Sequence, residues 1–195
     1  MVSNRRRAAP DSEMRGRLID AAKAIICEQG YGALTARTLA DRLSLKRQIV
    51  HYYFESMDEL LIQLIRSSAE RTLVALNDEE VRRDPLGAIW RMCNDRDSAV
   101  LALELAALAA RKPQVRAAVR DAADAMRAVQ ASLLSRYLAE KGIRASIDPE
   151  VVTIVLSSLA YTMVQEEAVG IASGHDKLRA LVETELEQLR SSGNA

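Results

Sequence analysis

Apolar side chains recur along nearly the whole chain at intervals of three and four, the period of a helix with one covered face. The first such stretch, residues 12–29, carries Leu18, Ala22, Ile25 and Ile26 and is stopped by Gly30. Two shorter pieces follow in residues 35–54, TARTLADRLSLKRQIVHYYF. Leu39, Ala40 and Leu43 mark the covered face of one, and Ile49, Val50 and Phe54 that of the other. Thr35 is placed to cap the first of the two. Ser56, with Glu59 three residues on, makes a capping box ahead of a long helix carrying Leu60, Leu61, Leu64, Ile65, Leu73 and Leu76. Asp84-Pro85 and Asp148-Pro149 each join an N-cap to the proline favoured at the first helical position. Lys112-Pro113 divides an apolar helix at 99–110 from a longer one ending near Gly142. Arg116, Arg120 and Arg127 share a side of that longer helix, expected to be solvated. Gly170 and Gly174 bracket the last break. The pattern predicts an all-α chain of about nine helices, with a basic flexible arm at 1–11, a three-helix head at 12–58 and a larger helical body at 59–195.

Composition agrees, with 49% apolar residues but only 8 Gly and 4 Pro in 195. No run approaches the roughly 18 apolar residues of a membrane span. The N-terminus is basic without an apolar segment, so no secretory signal is expected and the compartment reads as cytoplasmic. Cys27 and Cys93 are expected to be buried reduced thiols rather than a disulfide or metal ligands. A net charge of zero conceals an asymmetry: residues 1–54 hold 10 Lys and Arg against 5 Asp and Glu, residues 55–195 hold 17 against 22. A basic head on an acidic body suits a nucleic-acid binder with a second task elsewhere.

The head supplies the chemistry for that task. With its apolar residues turned inward, the helix after the turn leaves Lys46, Arg47, Gln48, His51, Tyr52 and Tyr53 outside, a surface suited to a DNA major groove. This is a helix-turn-helix, with its motif at 36–55. Arg47 and Gln48 are the leading base readers, since Arg pairs with guanine O6 and N7 and Gln with adenine N6 and N7. Lys46 and Tyr53 are expected on phosphates, His51 on a base or phosphate, and Tyr52 on a phosphate or in the core. Arg5, Arg6 and Arg7 either reach a neighbouring groove or form a solvated tail. Catalysis has no foothold. His51 and His175 are the only histidines, and the chain has no Gly-rich phosphate loop, nucleophile elbow or His/Cys metal spacing. No catalytic residue, metal or cofactor is therefore expected.

RLIDAAKAIICEQGYGALT (17–35) upstream of the motif and ESMDELLIQLI (55–65) downstream complete a pattern that resembles the tetracycline-repressor (TetR) family. A first helix ends in Gly-Tyr, a Thr opens the second, Tyr-Tyr-Phe closes the third, and a long connecting helix follows. The resemblance covers about the first third of the chain. It implies that Thr35 lies near a phosphate, unless it only caps, and that Arg37 faces the groove. Three positions depart from it: Ser44 stands where the turn usually has Gly, Lys46 where a small residue opens the recognition helix, and Met57 where a Lys is expected. Ser44 leads to the expectation of a turn without a strict need for positive φ.

The body is read through its last two helices. The one at 149–169 is apolar nearly all round in its first half, and the final one carries a stripe at helical spacing. Val152, Val155, Leu156, Leu159, Leu178, Leu181, Val182, Leu186 and Leu189 are therefore expected at a four-helix interface with a second copy, unless helices of the same chain cover them. The resemblance favours the homodimer and further implies a small-molecule pocket in the body. Trp90, Met92, Cys93, Leu103, Glu104, Met126, Tyr137, Tyr161 and Met163 are the candidates to line it. Glu104, in an otherwise apolar helix, either faces solvent or needs an Arg or a cationic or hydroxylated ligand. With few aromatics, the body points to a mainly apolar effector. The expected function is a regulator, taken as a repressor, that binds a palindromic operator and leaves it when the effector binds. A helical adaptor for another protein is the alternative, but such a helix would expose apolar anchors where this head is basic and polar.

Overall fold

A computed structural model describes residues 5–143 and 147–192, with side chains described over 12–143 and 147–191. Among the described residues the chain is all helix, without strands. The order is α1 (Arg5–Gln29), a 3-10 turn (Tyr31–Ala33), α2 (Ala36–Arg42), α3 (Arg47–Tyr53), α4 (Met57–Ala75), α5 (Glu79–Arg83), α6 (Pro85–Cys93), α7 (Arg96–Ala109), α8 (Pro113–Glu140), α9 (Pro149–Ala168) and α10 (His175–Ser192).

Two expectations about elements are corrected. There are ten α-helices among the described residues rather than about nine, because α5 is a helix of five residues with a single apolar one, Val81. Its signal lies in its ends: Asp78 accepts from the Glu80 amide at 3.0 Å, and Asp84 both closes α5 and caps α6. The helix expected from 12 begins instead at Arg5, so the backbone over residues 5–11 is not a structureless arm. Pro10 forgoes a ladder bond and crowds the carbonyl four residues before it, but it lies near the start of α1, and the Arg and Ala residues around it are good helix formers. Residues 1–4 of the expected arm, and the side chains of Arg5, Arg6 and Arg7, lie outside the described residues.

The helices gather into two compact units. One takes the described residues up to Ser68 together with Glu104–Arg120, and the other Ala69–Leu103 together with those from Asp121 on. In the first, Leu18, Ala22, Ile25 and Ile26 of α1, Leu39 and Ala40 of α2, Val50 of α3, Phe54, and Leu60, Leu61 and Leu64 of α4 are buried. Leu43 and Ile49, expected in the same faces, are only half covered. In the second, one cluster joins Leu86, Ile89, Trp90 and Cys93 of α6, Leu134, Tyr137 and Leu138 of α8, Leu156, Ala160 and Met163 of α9, and Val182 and Leu186 of α10.

That cluster bears on the residues expected at an interface. Leu156, Val182 and Leu186 are spent on the chain's own core, and Val152, Leu159, Leu178 and Leu189 pack against it. Val155 and Leu181 are exposed, at 49% and 57%, as are Val151 and Ile154. The arginines of α8 also divide. Arg116 donates to the Ala109 and Ala110 carbonyls at 2.8 Å each, satisfying the C-terminal end of α7. Arg127 is half-buried near Tyr161 rather than on a solvated face.

Candidate nucleic-acid interface

α2 begins where Thr35 turns extended (φ −128°, ψ 160°) and its hydroxyl accepts from the Thr38 amide at 3.1 Å. Thr38 returns the bond, its hydroxyl oxygen accepting from the Thr35 amide at 2.9 Å, and its hydroxyl also meets the Ala33 carbonyl at 2.7 Å. Two orphan amides at a helix start are thereby satisfied by a threonine pair. At the other end of α2 Arg42 grips the Glu28 carboxylate with two nitrogens, at 2.7 and 2.6 Å, which ties α2 to α1. The Arg42 hydrogen bond holds the Glu28 carboxyl below the usual carboxylate range.

The turn into α3 corrects an expectation. Ser44 has φ 55°, in the left-handed region, so the turn does require the conformation that glycine adopts most easily. Its amide donates to the Asp41 carbonyl at 3.1 Å, and the Leu45 amide to the Ala40 carbonyl at 2.9 Å. These closures place Lys46 as the extended residue ahead of α3. Val50 and Phe54 are then buried, which turns Arg47, Gln48, His51 and Tyr52 outward on adjacent turns. Tyr52 is 72% exposed and not a core residue. Tyr53 is half-buried, its ring edge-on to that of Tyr52 with centroids 5.0 Å apart. Lys46 is exposed at the start of the helix, and Arg37 is exposed on α2 with Asp41 at 3.7 Å. All eight residues expected at DNA thus fall on two short elements and the turn between them, seven of them exposed.

Sequence reasoning missed groups that hold this surface in place. Thr38 is half of the α2 cap. Glu59 does not simply close a box on Ser56: its amide donates to the Ser56 hydroxyl at 3.1 Å, while its carboxylate accepts from the Glu55 amide at 2.8 Å and from Arg15 at 3.0 Å. Asp58 in the first turn of α4 pairs with Lys112 of the α7–α8 corner. The first of these had a local signal, a Thr three residues after a Thr cap. The others are partners 44 and 54 residues apart, with no sequence periodicity to betray them.

The candidate pocket residues divide. Trp90, Cys93, Tyr137 and Met163 are buried in the core of the second unit, and Met92, Leu103, Met126 and Tyr161 are half-buried. Burial pushes the Cys93 thiol up to about 11. Burial also raises the Tyr161 phenol, with Cys93 acting in the same direction and Arg127 against it. Glu104 takes neither expected course, being bound neither to Arg nor simply turned to solvent. It accepts the Tyr31 amide at 3.1 Å and belongs to the compact unit of the head. Among the described residues no group of three or more His, Cys, Asp or Glu could hold a metal ion, and no helix is long and apolar enough to cross a membrane.

Two helices set around a tight turn, with a basic and amide-bearing face outward, define a helix-turn-helix DNA-binding protein. Residues 18–64, the head of the chain, match the family model of bacterial regulatory proteins, tetR family. Solved structures share the fold along nearly all of the chain. A transcriptional regulator from Saccharomonospora viridis, in complex with choline, is 21% identical with a TM-score of 0.73, over 90% of this chain and 96% of that one. A TetR regulator from Haloarcula marismortui is 20% identical with a TM-score of 0.67, over 94% and 97%. The regulator FadR of Bacillus subtilis, in complex with stearoyl-CoA, is 19% identical with a TM-score of 0.62, over 90% and 97%. No curated protein sequence matches the chain.

Proposed function

We propose that this chain is a ligand-responsive repressor that binds a palindromic operator as a homodimer and leaves it when a small molecule binds the body. The observation that carries the reading is the outward face of α3, where Arg47, Gln48, His51 and Tyr52 stand exposed over a buried Val50. Arg47 and Gln48 read bases, Arg37 enters the groove from α2, and Lys46, Tyr52 and Tyr53 hold phosphates. Thr35, whose hydroxyl caps α2, lies at the helix start where it would meet a phosphate.

The homodimer is supported by four large apolar side chains left in water, Val151, Ile154 and Val155 on α9 and Leu181 on α10. Residues 12–58 act as the DNA-binding domain and 59–195 as the effector and dimerisation domain. Two half-sites one DNA turn apart require recognition helices about 34–36 Å apart, so a modest change in that spacing weakens binding. Choline in one fold relative and stearoyl-CoA in another support a small-molecule effector, here a mainly apolar one given the apolar side chains that α6, α8 and α9 bring together in the body.

The test is selection of bound sequences from random duplex DNA by the purified protein at near-physiological salt. An inverted repeat bound by a dimer is the expected outcome. Weak, salt-sensitive binding without a motif would refute the reading and direct attention to a protein partner for the head.

A further inference from the structure

The recognition helix has seven residues, of which Val50 alone is fully buried, and it packs chiefly against α2. Its C-terminal end is held from outside. Arg15 of α1 donates from Nη1 to the carbonyl of Tyr53, the last residue of α3, at 3.3 Å. From Nη2 it donates to Glu59 Oε1, in the first turn of α4, at 3.0 Å. The guanidinium carbon stands 4.8 Å from the centre of the Phe54 ring between the two helices. The second carboxylate oxygen of Glu59 accepts the Glu55 amide at 2.8 Å, so the whole corner from Tyr53 to Glu59 closes on one Arg and one Glu.

The charges suit their places. A cation meets the negative end of α3 and a carboxylate the positive end of α4. The planar fork of arginine can hold a carbonyl and a carboxylate at once while stacking flat on an aromatic ring, a fixed geometry that the point charge of an ammonium lacks. Arg15 and Glu59 remain 37% and 32% exposed, so the pair contributes little to global stability. What it restrains is an angle.

We propose that Arg15 is a positioning residue for operator recognition, fixing the end of α3 against α1 and α4 through the Tyr53 carbonyl and Glu59. The proposal rests on the DNA-binding reading above, and its test has one arm that needs no DNA. Hydrogen exchange is compared in the wild type, Arg15→Met, Arg15→Lys and Glu59→Gln. Amides of residues 50–56 exchange about five- to tenfold faster in Arg15→Met, as a lost charge-assisted bond implies, while those of α1 beyond Leu18 keep their rates. Lys restores little of the protection, and Glu59→Gln loses part of it. On a duplex selected with the wild type, Arg15→Met binds more weakly and discriminates less between that duplex and a shuffled one, with its salt dependence unchanged. Wild-type exchange in the corner would overturn the proposal, as would a salt slope reduced by about one, which marks a direct phosphate contact. If Arg15→Met does not fold, the corner amides of Glu59→Gln decide in the same way. A wild type that selects no duplex sinks the DNA-binding reading alone, and the exchange rates still decide whether Arg15 holds the corner.

Discussion

Lys46 and Arg47 stand side by side at the head of α3, both exposed, and they are expected to fail differently. Arg47→Ala removes a base contact, so it should cost about 1–3 kcal/mol and relax preference at one base pair. Lys46→Ala should weaken all sequences alike and lower the slope of log K against log salt by about one. Titrations of the selected duplex and its single-base variants at several salt concentrations separate the two, and equal behaviour in both mutants would dissolve the division. Ser44 carries a different cost, that of an L-residue at φ 55°. Ser44→Gly should raise stability by about 0.5–1 kcal/mol, the strain relieved less the extra freedom of the unfolded glycine. A urea melt showing no gain would mean that the Ser44 side chain supplies a compensating bond. The outward identity of Arg47 and Gln48 was legible because Val50 and Phe54 define the inner face by period alone. The strain at Ser44 was signalled only by the Gly usual at that turn in the family it resembles, because a serine in a turn carries no mark of its own φ sign.

Among the elements, α2 is the one whose start is most heavily bonded. Thr35→Ala takes away one side of the reciprocal pair with Thr38 and should cost about 1 kcal/mol of stability. If DNA affinity falls further than that loss of folded population accounts for, Thr35 also meets a phosphate. An affinity unchanged at full folding would leave it a cap only. Thr38 completes the box from a position where Glu or Gln is usual, which is why a search for the usual pair finds Ser56 and Glu59 but passes over it. Glu104 makes the complementary point. Its place in an apolar helix marked it as unusual, yet its partner, the Tyr31 amide, lies 73 residues away. Local pattern reports which residue needs a partner, and only the folded chain supplies it. Helix α5 escaped for the opposite reason, since five residues hold too few apolar positions to show a period.

At the scale of the molecule, the exposed apolar residues of α9 and α10 are the test of assembly. Val155→Glu combined with Leu181→Glu places two carboxylates on surface that lies outside the chain's own core, so folding should survive while a dimer does not. Sedimentation of the double mutant as a monomer, with loss of binding to the inverted repeat, is the expected outcome. An unchanged sedimentation coefficient would show that the copies meet elsewhere. The proposed release by an effector would ask for a coupling of about 1–3 kcal/mol between body and operator.

By itself the sequence determined the all-α class, the helix-turn-helix, its inner and outer faces and most helix boundaries, because these follow from the helical period, caps, Gly and Pro within a few residues of each position. Tertiary structure alone decided that Leu156, Val182 and Leu186 serve the chain's own core while Val155 and Leu181 stay in water. It alone joined Arg15 to the Tyr53 carbonyl and Glu59, and Glu104 to Tyr31. An apolar stripe states that a face must be covered, but what covers it, and which distant charge meets which, depends on how the chain closes on itself.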